Sequence, residues 1–138
     1  MKKILNIVLL VLWMLFIFTM SNFKAEDSSN QSGFIVNILV NIFNIKNVEL
    51  VTTIIRKCAH ILEYIILGIL MLNALKDYSV KNIVLTSILI CIMYSCLDEI
   101  HQIFIEGRSG EILDVFIDSL GIVIGNLIYK KIKLFNNH

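Results

Sequence analysis

Three stretches of an otherwise apolar chain carry acids, bases and cations at helical spacing. The first holds Arg56, Lys57, His60 and Glu63, followed by Tyr64; the second holds Asp98, Glu99, His101 and Gln102; the third holds Asp114 and Asp118. Arg56, His60 and Glu63 fall at i, i+4, i+7, and Asp98, His101 and Gln102 at i, i+3, i+4, so each set shares a helix face. Asp114, Asp118, Gly121 and Gly125 form one narrow stripe, and the two glycines have the small-xxx-small spacing that lets helices approach closely. His60, Glu63, Asp98, Glu99, His101, Asp114 and Asp118 are the candidate catalytic residues. They offer the side chains of acid–base chemistry and of zinc or manganese ligation. Glu99 is the outlying member of its face. Arg56, Lys57 and Arg108 suit an anion, arginine through its bidentate fork and lysine as a point charge. Tyr64 and Gln102 are polar support. The sequence contains no H-E-x-x-H, and a metal would need ligands from three helices, so no metal and no cofactor is assigned.

The elements that must position these groups are read from hydropathy. The 138 residues are 57% hydrophobic and 17% charged, with mean hydropathy +0.81, whereas soluble domains carry about 25% charged residues. The apolar content falls in four blocks, Ile4–Met20, Val51–Leu75, Asn82–Ile105 and Ile112–Tyr129. Each is near the length of about 20 residues that a bilayer core demands. The expected fold is all-α, an integral membrane bundle of four transmembrane helices in a single domain over residues 1–138. Lys2 and Lys3 before the first block would also suit a signal peptide, but the run is long for one and no A-x-A-like site follows, so an uncleaved helix is expected. Residues 34–45 are too short to span and place Asn37, Asn41 and Asn44 at helical spacing, which predicts an interfacial amphipathic helix or a linker helix packed on the bundle.

The net charge of +1 gives no field to recruit nucleic acid. Cys58, Cys91 and Cys96 lie inside apolar blocks without metal-type spacing and read as small hydrophobes. Lys2, Lys3, Lys76, Lys81, Lys130, Lys131 and Lys133 would lie on one side of the membrane, against Lys24, Lys46, Arg56, Lys57 and Arg108 on the other. That bias predicts a multi-pass protein of the cell membrane with both termini cytoplasmic. All three charged stretches would then sit at one depth, toward the outer face. Ionisable groups at the bilayer centre cost about 2.5–3.5 kcal/mol each and are by default functional. The bland alternative is a structural polar core, an expensive arrangement since buried ion pairs seldom add net stability.

The run from Arg56 to Tyr64 (R-K-x-x-H-x-x-E-Y), then Asp98-Glu99-Ile100-His101-Gln102, then Gly107-Arg108 with Asp114, Asp118, Gly121 and Gly125, resembles the VanZ-like family. The likeness extends over about Phe18 to Gly125; Asn22 follows Ser21 where the family often has glutamine. The resemblance implies an envelope role, because the founding member is associated with low-level resistance to the lipoglycopeptide teicoplanin. On that reading the partners are the lipid bilayer and a lipid-linked cell-wall precursor or a lipoglycopeptide. One alternative is an intramembrane hydrolase or transferase acting on a phosphorylated or glycosylated lipid. Another is a small transporter or proton relay, for which four helices without an inverted repeat would call for an oligomer.

Overall fold

The computed structural model of the chain describes residues 1–22, 33, 36, 38, 42, 47–105 and 110–135. Among the described residues, four helices are long and apolar enough to cross a membrane. They are α1 (Lys2–Ser21), α2 (Val48–Leu75), α3 (Ile83–Gln102) and α4 (Ile112–Phe135). No strand occurs among the described residues. Of the expected interfacial segment, Val36, Ile38 and Ile42 are helical, Val36 buried and Ile42 exposed. Asn37, Asn41 and Asn44 lie outside the described residues, as does Arg108.

Local chemistry sets the helix ends a few residues from the hydropathic limits. α2 begins before Val51, at Val48, because the Asn47 side chain accepts a hydrogen bond from the Leu50 amide at 3.1 Å and Glu49 sits in the first turn. α3 stops at Gln102 instead of Ile105. The Phe104 and Ile105 amides donate to the His101 and Gln102 carbonyls at 3.0 Å each, a turn that hydropathy cannot distinguish from helix. α4 runs past Tyr129 to Phe135. Lysine is a good helix former, nothing in Lys130–Phe135 breaks the helix, and Lys133 complements the negative end of its dipole.

The bundle is built inside out relative to a soluble domain. Leu62, Leu85, Leu97, Phe116, Leu120 and Leu127 are exposed, while Ser87, Ser95, Asp98, Glu99, Asp118 and Asn126 are buried. Water would not tolerate such a girdle, and hydrocarbon requires it. The apolar core is Leu10, Ile17, Tyr64, Leu67, Met71, Ala74, Cys91 and Ile122.

α2 and α4 form the central pair. A Cβ added at Gly121 would lie 2.7 Å from the Ile61 carbonyl oxygen, one at Gly125 would strike the Ile65 carbonyl, and one at Gly68 would lie 2.7 Å from the Ile122 carbonyl oxygen. Successive glycines of α4 thus meet successive carbonyls of α2 in the same order, so the two helices run parallel with their backbones nearly touching. α3 packs on both, and α1 packs on α2 and α3. The seam to α1 is made by side chains reaching main chain: Trp13 Nε1 donates to the Glu63 carbonyl at 3.0 Å, and Tyr94 Oη to the Met14 carbonyl at 2.6 Å. The result is an up-down-up-down bundle in which the starts of α2 and α4 meet the end of α3.

Candidate functional site

Three polar groups gather at that meeting. In the first, Lys57 Nζ forms an ion pair with Asp114 Oδ1 and a second with Glu111 Oε2 at 3.3 Å. The Glu111 amide in turn donates to Glu99 Oε2 at 3.0 Å. In the second, His60 Nδ1 stands 4.0 Å from both Glu63 Oε2 and Asp118 Oδ1, and Ser95 Oγ donates to Asp118 Oδ2 at 2.7 Å. In the third, Tyr64 Oη and Gln102 Nε2 each donate to Asp98 Oδ2 at 3.3 Å.

Helix geometry explains the grouping. The stripe of Asp114, Asp118, Gly121 and Gly125 is the face that α4 turns to α2, so the glycines that let the backbones touch also carry the two aspartates onto Lys57 and His60. Ser87, Cys91, Ser95, Asp98, Glu99 and Gln102 line the buried side of α3, which brings Ser95 to Asp118 and Asp98 to Tyr64.

The site is short of hydrogen-bond donors. Asp98, Glu99 and Asp118 are 4%, 5% and 0% exposed. Asp98 Oδ1, Glu99 Oε1 and Asp118 Oδ1 accept no hydrogen bond among the described residues. Leaving a buried acceptor unsatisfied costs about 1–3 kcal/mol, more when it is charged. Three such oxygens at one end of the bundle are a demand for donors. Beside them, a cleft of about 340 Å³ opens between the end of α3 and the start of α4, lined by Cys96, Glu99, Ile103, Gly110, Ile112 and Phe116, among others. Its walls are mostly apolar, and Glu99 and Glu111 supply its carboxylates.

Some expected members stand apart. His101 turns to α1, where Nε2 hydrogen-bonds Asn22 Oδ1 at 2.9 Å and its ring lies 4.8 Å from that of Phe18. Arg56 is half-buried on α2 and forms no ion pair among the described residues. Lys57 is engaged by two carboxylates, so its charge is spent within the bundle. No group of three or more His, Cys, Asp or Glu side chains among the described residues is arranged to hold a metal ion.

Sequence reasoning passed over Ser95, Glu111 and Trp13. Ser95 carried a signal, the i, i+4, i+8 run of Ser87, Cys91 and Ser95 leading into the acids of α3. Glu111 precedes a helix and carried none.

Neither a curated protein nor a solved structure matches the chain. The VanZ/LLP1 family model matches residues 6–136, a span that contains all four helices from Asn6 onward and the whole of the acid cluster. A match over nearly the entire length, on a four-helix apolar bundle that carries the cluster on three of its helices, leaves no doubt of kinship: this chain is a membrane protein of the VanZ/LLP1 family.

Proposed function

We propose that the acid cluster binds the polar headgroup of a lipid-linked cell-wall precursor, or of a lipoglycopeptide such as teicoplanin, and so modulates how the drug meets the cell envelope. The observation that carries this reading is the set of orphaned carboxylate oxygens on Asp98, Glu99 and Asp118. Sugar hydroxyls and peptide N–H groups are the donors they lack. The apolar cleft next to Glu99 would take the start of the lipid chain. Among the described anion-holding candidates, Arg56 is the one whose charge forms no ion pair and could meet a phosphate. The lysine bias supports cytoplasmic termini, an orientation that would turn the site to the outer leaflet of the cell membrane, where both ligand classes would meet it.

A second reading is supported by His60. Standing 4.0 Å from Glu63 and from Asp118, its imidazole could shuttle a proton between carboxylates beside a bound lipid headgroup, as a hydrolase or transferase requires. Bound ligand would have to draw these groups within hydrogen-bond reach.

The test is expression of the wild type and of His60→Ala, Glu63→Ala and Asp98→Ala in a susceptible Gram-positive host, with teicoplanin and vancomycin susceptibility measured and membrane levels followed by blot. Wild type should raise teicoplanin tolerance, and each variant should accumulate normally while tolerance returns to the empty-vector level. Variants lost from the membrane would make the cluster a folding network, and a wild type without effect would end the resistance reading.

A further inference from the structure

A second groove, of about 270 Å³, opens at the opposite end of the bundle between the end of α2, the start of α3 and the end of α4. Leu72, Ile83 and Val84 form its apolar wall, and Lys76, Lys130 and Lys133 stand at its rim beside Tyr129. Three cations thus converge on one groove in a chain whose net charge is only +1. Lys76 Nζ donates to Asn73 Oδ1 at 2.6 Å, and Tyr129 Oη donates to the same oxygen at 3.3 Å. These bonds fix the lysine stem at the mouth without neutralising it, because Asn73 carries no charge. Lys130 and Lys133 are exposed and form no ion pair among the described residues. The nearby carboxylate of Asp77 accepts from Asn6 Nδ2 at 3.2 Å.

An apolar wall on a membrane-spanning bundle, closed at its polar end by three lysines against the single nearby carboxylate of Asp77, is complementary to one kind of molecule: an acyl chain with a negative headgroup. Lysines at helix ends also snorkel without selecting a lipid, but a mere snorkelling fringe needs no concave wall between three helices. Basic pockets between helices on the cytoplasmic side are where anionic headgroups dock. We propose that this groove holds one anionic phospholipid, its acyl chain along Leu72, Ile83 and Val84 and its phosphate among Lys76, Lys130 and Lys133.

The experiment is a native mass-spectrometric titration of the purified full chain with phosphatidylglycerol, with phosphatidylcholine of the same acyl chains, and with inorganic phosphate. The expected result is one retained phosphatidylglycerol per chain, little phosphatidylcholine, and no displacement by phosphate. Lys76→Gln/Lys130→Gln/Lys133→Gln should weaken phosphatidylglycerol at least about tenfold. A control, Lys2→Gln/Lys81→Gln/Lys131→Gln, removes equal charge from the same end without touching the groove lining and should change affinity less than about twofold. Val84→Trp fills the groove at constant charge and should also abolish retention, which decides the matter should the triple variant fail to fold. Equal binding of the two lipids, equal weakening by the two triple variants, displacement by free phosphate, or full retention in Val84→Trp would each overturn the proposal.

Discussion

Gly125→Leu is expected to strip most of the folded protein from the membrane. A Cβ at this position would land on the Ile65 carbonyl oxygen, with the Ile65 carbonyl carbon and Cα at 3.0 and 3.1 Å. All three are backbone atoms, which cannot rotate aside as a side chain can. α2 and α4 would have to part by the thickness of a side chain, and Gly121 against Ile61 and Gly68 against Ile122 would lose their contact with them. Overpacking of a close-packed interior costs about 1–3 kcal/mol, and a backbone collision belongs at or above the top of that range. Blotted membrane levels and the melting midpoint in detergent measure the effect. Gly33→Leu is the control, since nothing among the described residues lies within 4 Å of a Cβ there. Equal levels and equal midpoints for the two variants would show that α2 and α4 are not in backbone contact.

Asp118→Asn is expected to have its largest effect on activity and almost none on accumulation. Asp118 is 0% exposed; one oxygen accepts from Ser95 and the other accepts nothing among the described residues. A carboxylate so placed is a poor stabiliser, because desolvation of the charge offsets what its partners return. Asparagine has nearly the same shape and keeps an acceptor for Ser95, but carries no charge. The variant should reach the membrane at wild-type level and melt at the same temperature or higher, with a gain of up to about 2 kcal/mol. Teicoplanin tolerance should nevertheless fall to the empty-vector level. A variant that keeps its tolerance would remove Asp118 from the site, and one that fails to accumulate would make the carboxylate part of the scaffold.

These two positions also show what the sequence discloses and what it withholds. The spans were legible because hydrocarbon demands long apolar helices, and the stripe of Asp114, Asp118, Gly121 and Gly125 was legible because its members recur almost on one line. The structure turns that stripe to Lys57, His60 and Ile61. The α3 face was legible only in part. At about 100° per residue, positions i+3 and i+4 lie on opposite sides of position i. His101 and Gln102 therefore flank Asp98, and spacing alone does not say which flank faces inward. Packing decides it: Gln102 is buried against Asp98, and His101 goes to Phe18 and Asn22. The engagement of Lys57 by Glu111 was hidden for another reason, since a residue just before a helix has no periodicity to betray its direction. Ser95 was overlooked because a serine costs little in an apolar helix and so attracts no notice until its acceptor is known.

The hydrogen bond from Trp13 to the Glu63 carbonyl has a use beyond joining α1 to α2. The chain has a single tryptophan, and its indole N–H is bonded to the main chain of a residue in the acid cluster, with Phe16 stacked against it at 5.0 Å. Indole emission is sensitive to the polarity around the ring and to what its N–H meets. All tryptophan fluorescence therefore arises at one edge of the candidate site, from a chromophore whose only described polar partner is Glu63. A headgroup that displaces Glu63 should change the colour or intensity of that emission, while a lipid entering the lysine groove at the far end should leave it unchanged. With those two responses in hand, the native protein would carry its own optical gauge of occupancy, usable without a label and able to tell its two ends apart.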